Sequence, residues 1–157
     1  MRSWLTFLMV FAALAAAGCS KGGAPGNDAA VPDTQPRLDI RYFHRTIRCP
    51  SCMLIEQFTK QAVEQSFASE LSSGRATWAS VNLDEPENAH YDKDYKLTAQ
   101  SVVLSEVRGG RETRWKNLEK VWDLFNDEAA FTAYIQEGVL AWLNKGQAAS
   151  KRTGELK

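Results

Sequence analysis

Cysteine is scarce in this chain. Its 157 residues include only three, at positions 19, 49 and 52, so the chain can close one internal disulfide at most. Net charge is absent as well: 19 Lys and Arg balance 19 Asp and Glu. Nothing electrostatic therefore calls for a nucleic-acid partner. The longest apolar run, Leu5–Ala17, is too short to span a bilayer comfortably. No internal repeat is visible. There is no Gly-rich dinucleotide fingerprint, no phosphate loop and no Ser-His-Asp arrangement. The acidic stretch "DEPENAHYDKD" (residues 84–94) lacks the spacing of a calcium loop and reads as a solvated face.

What is present begins at the amino terminus. One positive charge, Arg2, precedes the apolar run, which meets "AAGC" and then turns polar at "SKGG". That is the layout of an export signal. The small-small-Cys ending resembles the lipobox of bacterial lipoproteins. The resemblance implies cleavage before Cys19, diacylation of its sulfur and attachment to a membrane outside the cytoplasm. The simpler alternative is a secretory signal cut at an Ala-x-Ala site. Residues 20–36, rich in Gly, Pro, Ala and small polar side chains, read as a flexible tether. The expected layout is a signal peptide over 1–18, a lipid anchor and tether over 19–36, one domain over 37–146 and a disordered tail over 147–157.

Within the domain the order of elements is legible. "RLDIRYFHR" is rich in aromatic and branched residues and predicts a strand. "PSCMLIEQFTKQAVEQSFASELSSG" predicts one helix, with Ile55, Phe58, Ala62, Phe67 and Leu71 at helical spacing and Gly74 as its stop. "RATWASVNLD" predicts a second strand, and "EPENAHYDKDYKL" a loop with a short polar helix. "QSVVLSEVR" has the continuous apolar centre of a buried strand. "GG" predicts a tight turn into its hairpin partner "RETRWKNL". "NDEAAFTAYIQEGVLAWLNKG" closes the domain as a helix. Asn126 or Asp127 caps it, Phe131, Tyr134, Ile135, Val139 and Trp142 form one stripe, and Gly146 is the expected end. The order β-α-β-α-β-β-α predicts an α/β fold with a central mixed sheet flanked by helices.

Cys49 and Cys52 fall at the junction of the first strand and first helix, where α/β sheets present reactive groups. A disulfide there closes too small a loop to remove much unfolded-chain entropy, so a chemical purpose is expected rather than a staple. Free N–H groups and the dipole of a helix N-terminus favour a thiolate, and Arg48 and Arg45 add positive potential. Pro50 suits the first helical turn. Cys52 sits one turn into the helix, within reach of a mixed disulfide on Cys49. The expected roles are Cys49 as nucleophile and Cys52 as resolving thiol.

A C-x-x-C at a strand-to-helix junction, with this element order, resembles the thioredoxin superfamily. "YFHRTIRCPSCMLIEQFTKQAVE" followed by "VNLDEPENAHYDKDYKLTAQSVVL" is similar to a small thioredoxin-like family described as a nitrophenyl-compound nitroreductase subunit of the ArsF type. The resemblance implies a minimal thioredoxin-like fold with a redox-active disulfide and no further cofactor. It also implies a thiol–disulfide partner protein, with electrons drawn from a membrane carrier of the DsbD or CcdA type. Two features depart from ordinary thioredoxins. Gln100 and Ser101 occupy the region where the family keeps a cis-proline, and the strand end "YFHRT" carries no buried acid. Glu56, one turn beyond Cys52, is a substitute acid on this reading, or a plain exposed helix residue. The missing proline leaves a metal alternative open: Cys49, Cys52 and His44 as ligands for Cu(I) or Zn(II), or the dithiol alone for As(III). The expectation is a monomeric, lipid-anchored thiol–disulfide protein of the bacterial cell envelope, facing the periplasm or the exterior.

Overall fold

The computed structural model describes residues 35–154, and side chains as far as residue 145. Cys19 and the signal and tether segments lie outside the described residues. The elements are β1 (Arg37–His44), α1 (Pro50–Ser66), α2 (Ala68–Ser72), β2 (Ala76–Asn82), α3 (Tyr91–Asp94), β3 (Ser101–Arg108), β4 (Arg111–Asn117), α4 (Val121–Leu124) and α5 (Glu128–Gly154). The four strands form one sheet in the order β2-β1-β3-β4. β1 and β2 are parallel, whereas β3 is antiparallel to both β1 and β4. This is the mixed α/β sheet expected from the element order.

Alternation along β1 divides the molecule into two layers. Leu38, Ile40 and Tyr42 point to one face, where they meet Val102 and Leu104 of β3 under α1 and α5. From α1 that core takes Ile55, Ala62 and Val63, and from α5 Phe131, Ile135, Val139 and Leu143. Tyr134 and Trp142, expected in the same stripe, are only partly buried against it. Phe43 points to the other face and packs with Leu83, Tyr95 and Val103 beneath α3. The Gly109-Gly110 turn has both residues at positive φ, +55° and +72°, the combination a two-residue hairpin loop requires. Asp127 caps α5 by accepting the Ala130 N–H at 3.0 Å.

Three details differ from the sequence reading. The first helix is not continuous to Gly74 but breaks at Phe67 (φ −129°, ψ 29°). Burial of the Phe67 ring turns the backbone inward. The break costs little, because the Phe67 N–H still reaches the Val63 carbonyl at 3.0 Å. The closing helix does not end at Gly146. It runs on to Gly154, into the stretch read as a disordered tail. One glycine costs a helix only about 1 kcal/mol against alanine, and Gln147-Ala148-Ala149 that follows favours helix. Finally, the short helix α4 was not anticipated: Val121 anchors it in the core, but its one turn is too brief for a periodic signal. No helix of the described residues is long and apolar enough to cross a membrane.

Candidate functional site

β1 ends at His44 on the carboxyl edge of the sheet, and the loop 45–49 carries the chain from there into α1. This loop is tied to the neighbouring strand end. Asp84, just past β2, accepts the Thr46 backbone N–H at 2.8 Å and an Arg45 N–H at 3.2 Å. Asn82 donates to the Thr46 hydroxyl at 3.1 Å, and Asp92 takes the other arm of Arg45 at 2.5 Å. The Thr46 N–H, opposed by slight desolvation and helped by Arg45, holds the Asp84 carboxyl below its usual range. The acidic stretch is therefore exposed, as expected, yet two of its carboxylates position the loop before Cys49. The signal was available: parallel strands end side by side, so acids just after β2 meet the loop that follows β1.

Cys49 and Cys52 form a disulfide, with their Cα atoms 5.0 Å apart. Cys49 is the N-cap of α1, with extended backbone angles, and its Sγ accepts the Cys52 N–H at 3.1 Å. Pro50 occupies the first helical turn, which contains no acidic side chain. The partial positive charge of the helix N-terminus is thus not offset by an acid of that turn. The two sulfurs differ in access: Cys49 is exposed, whereas Cys52 is only 2% exposed. Ile47, Met53 and Leu54 stand exposed around them.

Beneath the first turn of α1, the fully buried Tyr42 donates its hydroxyl to the Cys52 carbonyl at 2.7 Å. Burial raises the Tyr42 pKa and the Arg48 guanidinium opposes that rise. Arg48 lies over the Tyr42 ring, 5.7 Å from its centre, and forms an ion pair with Glu56. Glu56 is half-buried and paired, so it is neither a free acid nor a plainly exposed one. A buried acid does exist on β1, namely Asp39. It lies near the start of the strand, away from the cysteines, and is bound by Arg37, Arg41 and Thr77.

The pairing of Phe43 with Ser101 brings Gln100 and Ser101 to the edge of the sheet from which the cysteine loop springs. Ser101 is buried and donates to the Ala99 carbonyl at 2.9 Å. The Gln100 carbonyl accepts from the Trp122 indole at 2.8 Å. Neither residue hydrogen-bonds to a cysteine. Trp122 packs against the core and also pins this loop, a role no local pattern announces. His44 donates from Nδ1 to the Arg45 carbonyl, 2.9 Å away, and its ring stacks on Tyr42 at 6.0 Å. Among the described residues, no group of three His, Cys, Asp or Glu side chains converges as a metal site, so His44 is not gathered with the cysteines into one.

A mixed sheet in the order β2-β1-β3-β4, with a C-x-x-C disulfide capping the first helix after the central strand, defines a thioredoxin-like fold. Among solved structures, a thioredoxin of Fasciola hepatica matches with a TM-score of 0.34 and 20% identity, over 61% of this chain and 85% of that one. A similarity this low adds nothing to what the strand order already gives. No family model and no curated protein matches the chain.

Proposed function

We propose that this protein carries out thiol–disulfide exchange through Cys49 and Cys52, at the outer side of a bacterial membrane to which a lipid on Cys19 tethers it. The observation that carries the reading is the unequal access of the two sulfurs: an incoming thiolate reaches the exposed Cys49 and not the buried Cys52. In the reducing direction, the Cys49 thiolate attacks a partner disulfide, an S–S bond forms to Cys49, and one partner thiolate leaves. The Cys52 thiolate then attacks Cys49 Sγ, restoring the internal disulfide and releasing the second partner thiolate. Two electrons pass from the dithiol to the partner. A membrane carrier of the DsbD or CcdA type would return them, and the tether would raise the local concentration of the domain near both. The similarity to the ArsF-type family agrees with a role as an electron-passing subunit rather than as a complete reductase.

The test traps the intermediate. A Cys52→Ser protein incubated with glutathione disulfide at neutral pH should gain one glutathione on Cys49, read by mass spectrometry. A Cys49→Ser protein should gain almost none. Equal trapping on both variants, or a wild-type disulfide that resists thiol reductants, would overturn the reading. Anchoring is separate: labelled palmitate should enter the protein in a bacterial host and fail to enter Cys19→Ser.

A further inference from the structure

We propose that the Arg48–Glu56 ion pair sets the balance between the disulfide and the dithiol, the two charges acting with opposite sign; this rests on the thiol–disulfide reading above. Cys49, Cys52 and Glu56 are spaced three and four residues apart, so they share one face of α1. Arg48 directly precedes Cys49, and its guanidinium pairs with Glu56 on that face. Its position is fixed at one further point. The guanidinium lies over the Tyr42 ring at 5.7 Å, and the Tyr42 hydroxyl is itself bonded to the Cys52 carbonyl at 2.7 Å. Arg48 is also left with a buried Nε–H that has no acceptor. An unpaired buried donor is normally costly. That donor belongs to the residue next in sequence to Cys49, over the ring whose hydroxyl holds the Cys52 carbonyl.

Reduction by glutathione converts two glutathione thiols into one glutathione disulfide and moves two electrons onto the protein sulfurs. Cys52 takes one proton; at Cys49 the helix N-terminus favours the thiolate over the thiol, and the proton given up goes to solvent. The dithiol state therefore holds one negative charge that the disulfide state lacks. Arg48 favours that charge and Glu56 opposes it. The Tyr42 ring beneath the guanidinium still holds Arg48 when the carboxylate is removed, so Glu56 acts here as a counter-charge.

The experiment equilibrates each full-length protein with glutathione buffers of graded composition at pH 7 and reads the oxidised fraction by mass after acid quenching. R48Q should shift the equilibrium about three- to fivefold toward the disulfide, the scale of a half-exposed charge interaction. E56Q should shift it by a similar factor toward the dithiol. The double variant R48Q/E56Q, again neutral overall, should return to within about twofold of wild type. Singles that shift in the same direction, or do not shift, would sink the proposal, as would a double variant displaced further than either single. If the wild type never equilibrates with glutathione, the thiol–disulfide reading fails instead. Thermal melts of the oxidised variants exclude a folding defect, and because E56Q and R48Q perturb different elements, loss of one leaves the other to decide.

Discussion

Glu106 is the most informative place to perturb the fold. It sits on β3, 6% exposed, and its register partner on β4 is Arg114. Its carboxylate accepts from Arg108 at 2.7 Å, from Arg114 at 2.7 Å and from the Thr113 hydroxyl at 3.1 Å. Burial alone would raise its pKa. The bonds from Arg108, Arg114 and Thr113 outweigh burial and bring it down from 4.5 to about 2. At about 1.4 kcal/mol per pH unit, that difference is worth up to about 3 kcal/mol of stability at neutral pH. Because the folded value is depressed, the contribution is complete above pH 4.5 and disappears as the pH falls through 4.5 toward 2. Glu106→Gln keeps the shape and removes the charge. Arg114, whose guanidinium also lies 4.1 Å above the Trp142 ring, would then link β4 to α5 without its anion. Urea denaturation of both proteins at pH 7, 5, 4 and 3 should show the variant about 3 kcal/mol less stable at pH 7, with the gap closing as pH falls. Other carboxylates titrate in both proteins and cancel in the difference. A gap that stays constant from pH 7 to 3, or no gap at pH 7, would refute the account.

Two smaller perturbations test the turn and the loop that frame the site. Gly110→Ala should cost about 1 kcal/mol in urea titrations, the usual penalty for a side chain in left-handed backbone; its φ is +72° and a Cβ there meets nothing within 4 Å, so no clash contributes. Asp84→Ala should leave global stability almost unchanged, since the carboxylate is exposed, yet should speed amide exchange at Thr46 several-fold by removing the acceptor 2.8 Å away. Unchanged exchange there would mean that the loop before Cys49 is held by Arg45 and Asp92 alone.

Much of the architecture was legible because it rests on local periodicity. The aromatic and branched residues of 37–44 marked a strand, buried on both faces, and the three- and four-residue recurrence from Ile55 to Phe67 marked the buried face of a helix. The paired glycines marked the hairpin because few other residues adopt positive φ twice in succession. The C-x-x-C was legible because helix-terminus chemistry is local: Cys49 caps α1 and Pro50 begins it. What failed was of another kind. Gly146 carries no helix-ending signal by itself when good helix formers follow, and the kink at Phe67 arises from where its ring is buried.

By itself, then, the sequence determined the order of the strands and the main helices, the single reactive pair and its place at a helix start, since each depends on residues within a few positions of one another. Only the tertiary structure decided which sulfur is open to attack, and that Asp84 and Asp92 hold the loop before it. It also decided that Trp122 pins Gln100 and that Arg48 spans from Cys49 to Glu56 across Tyr42. These pairings join residues far apart in the chain or set by the packing of α1 on β1. Their strength comes from exclusion of water at a particular place, and no spacing along a sequence encodes that place.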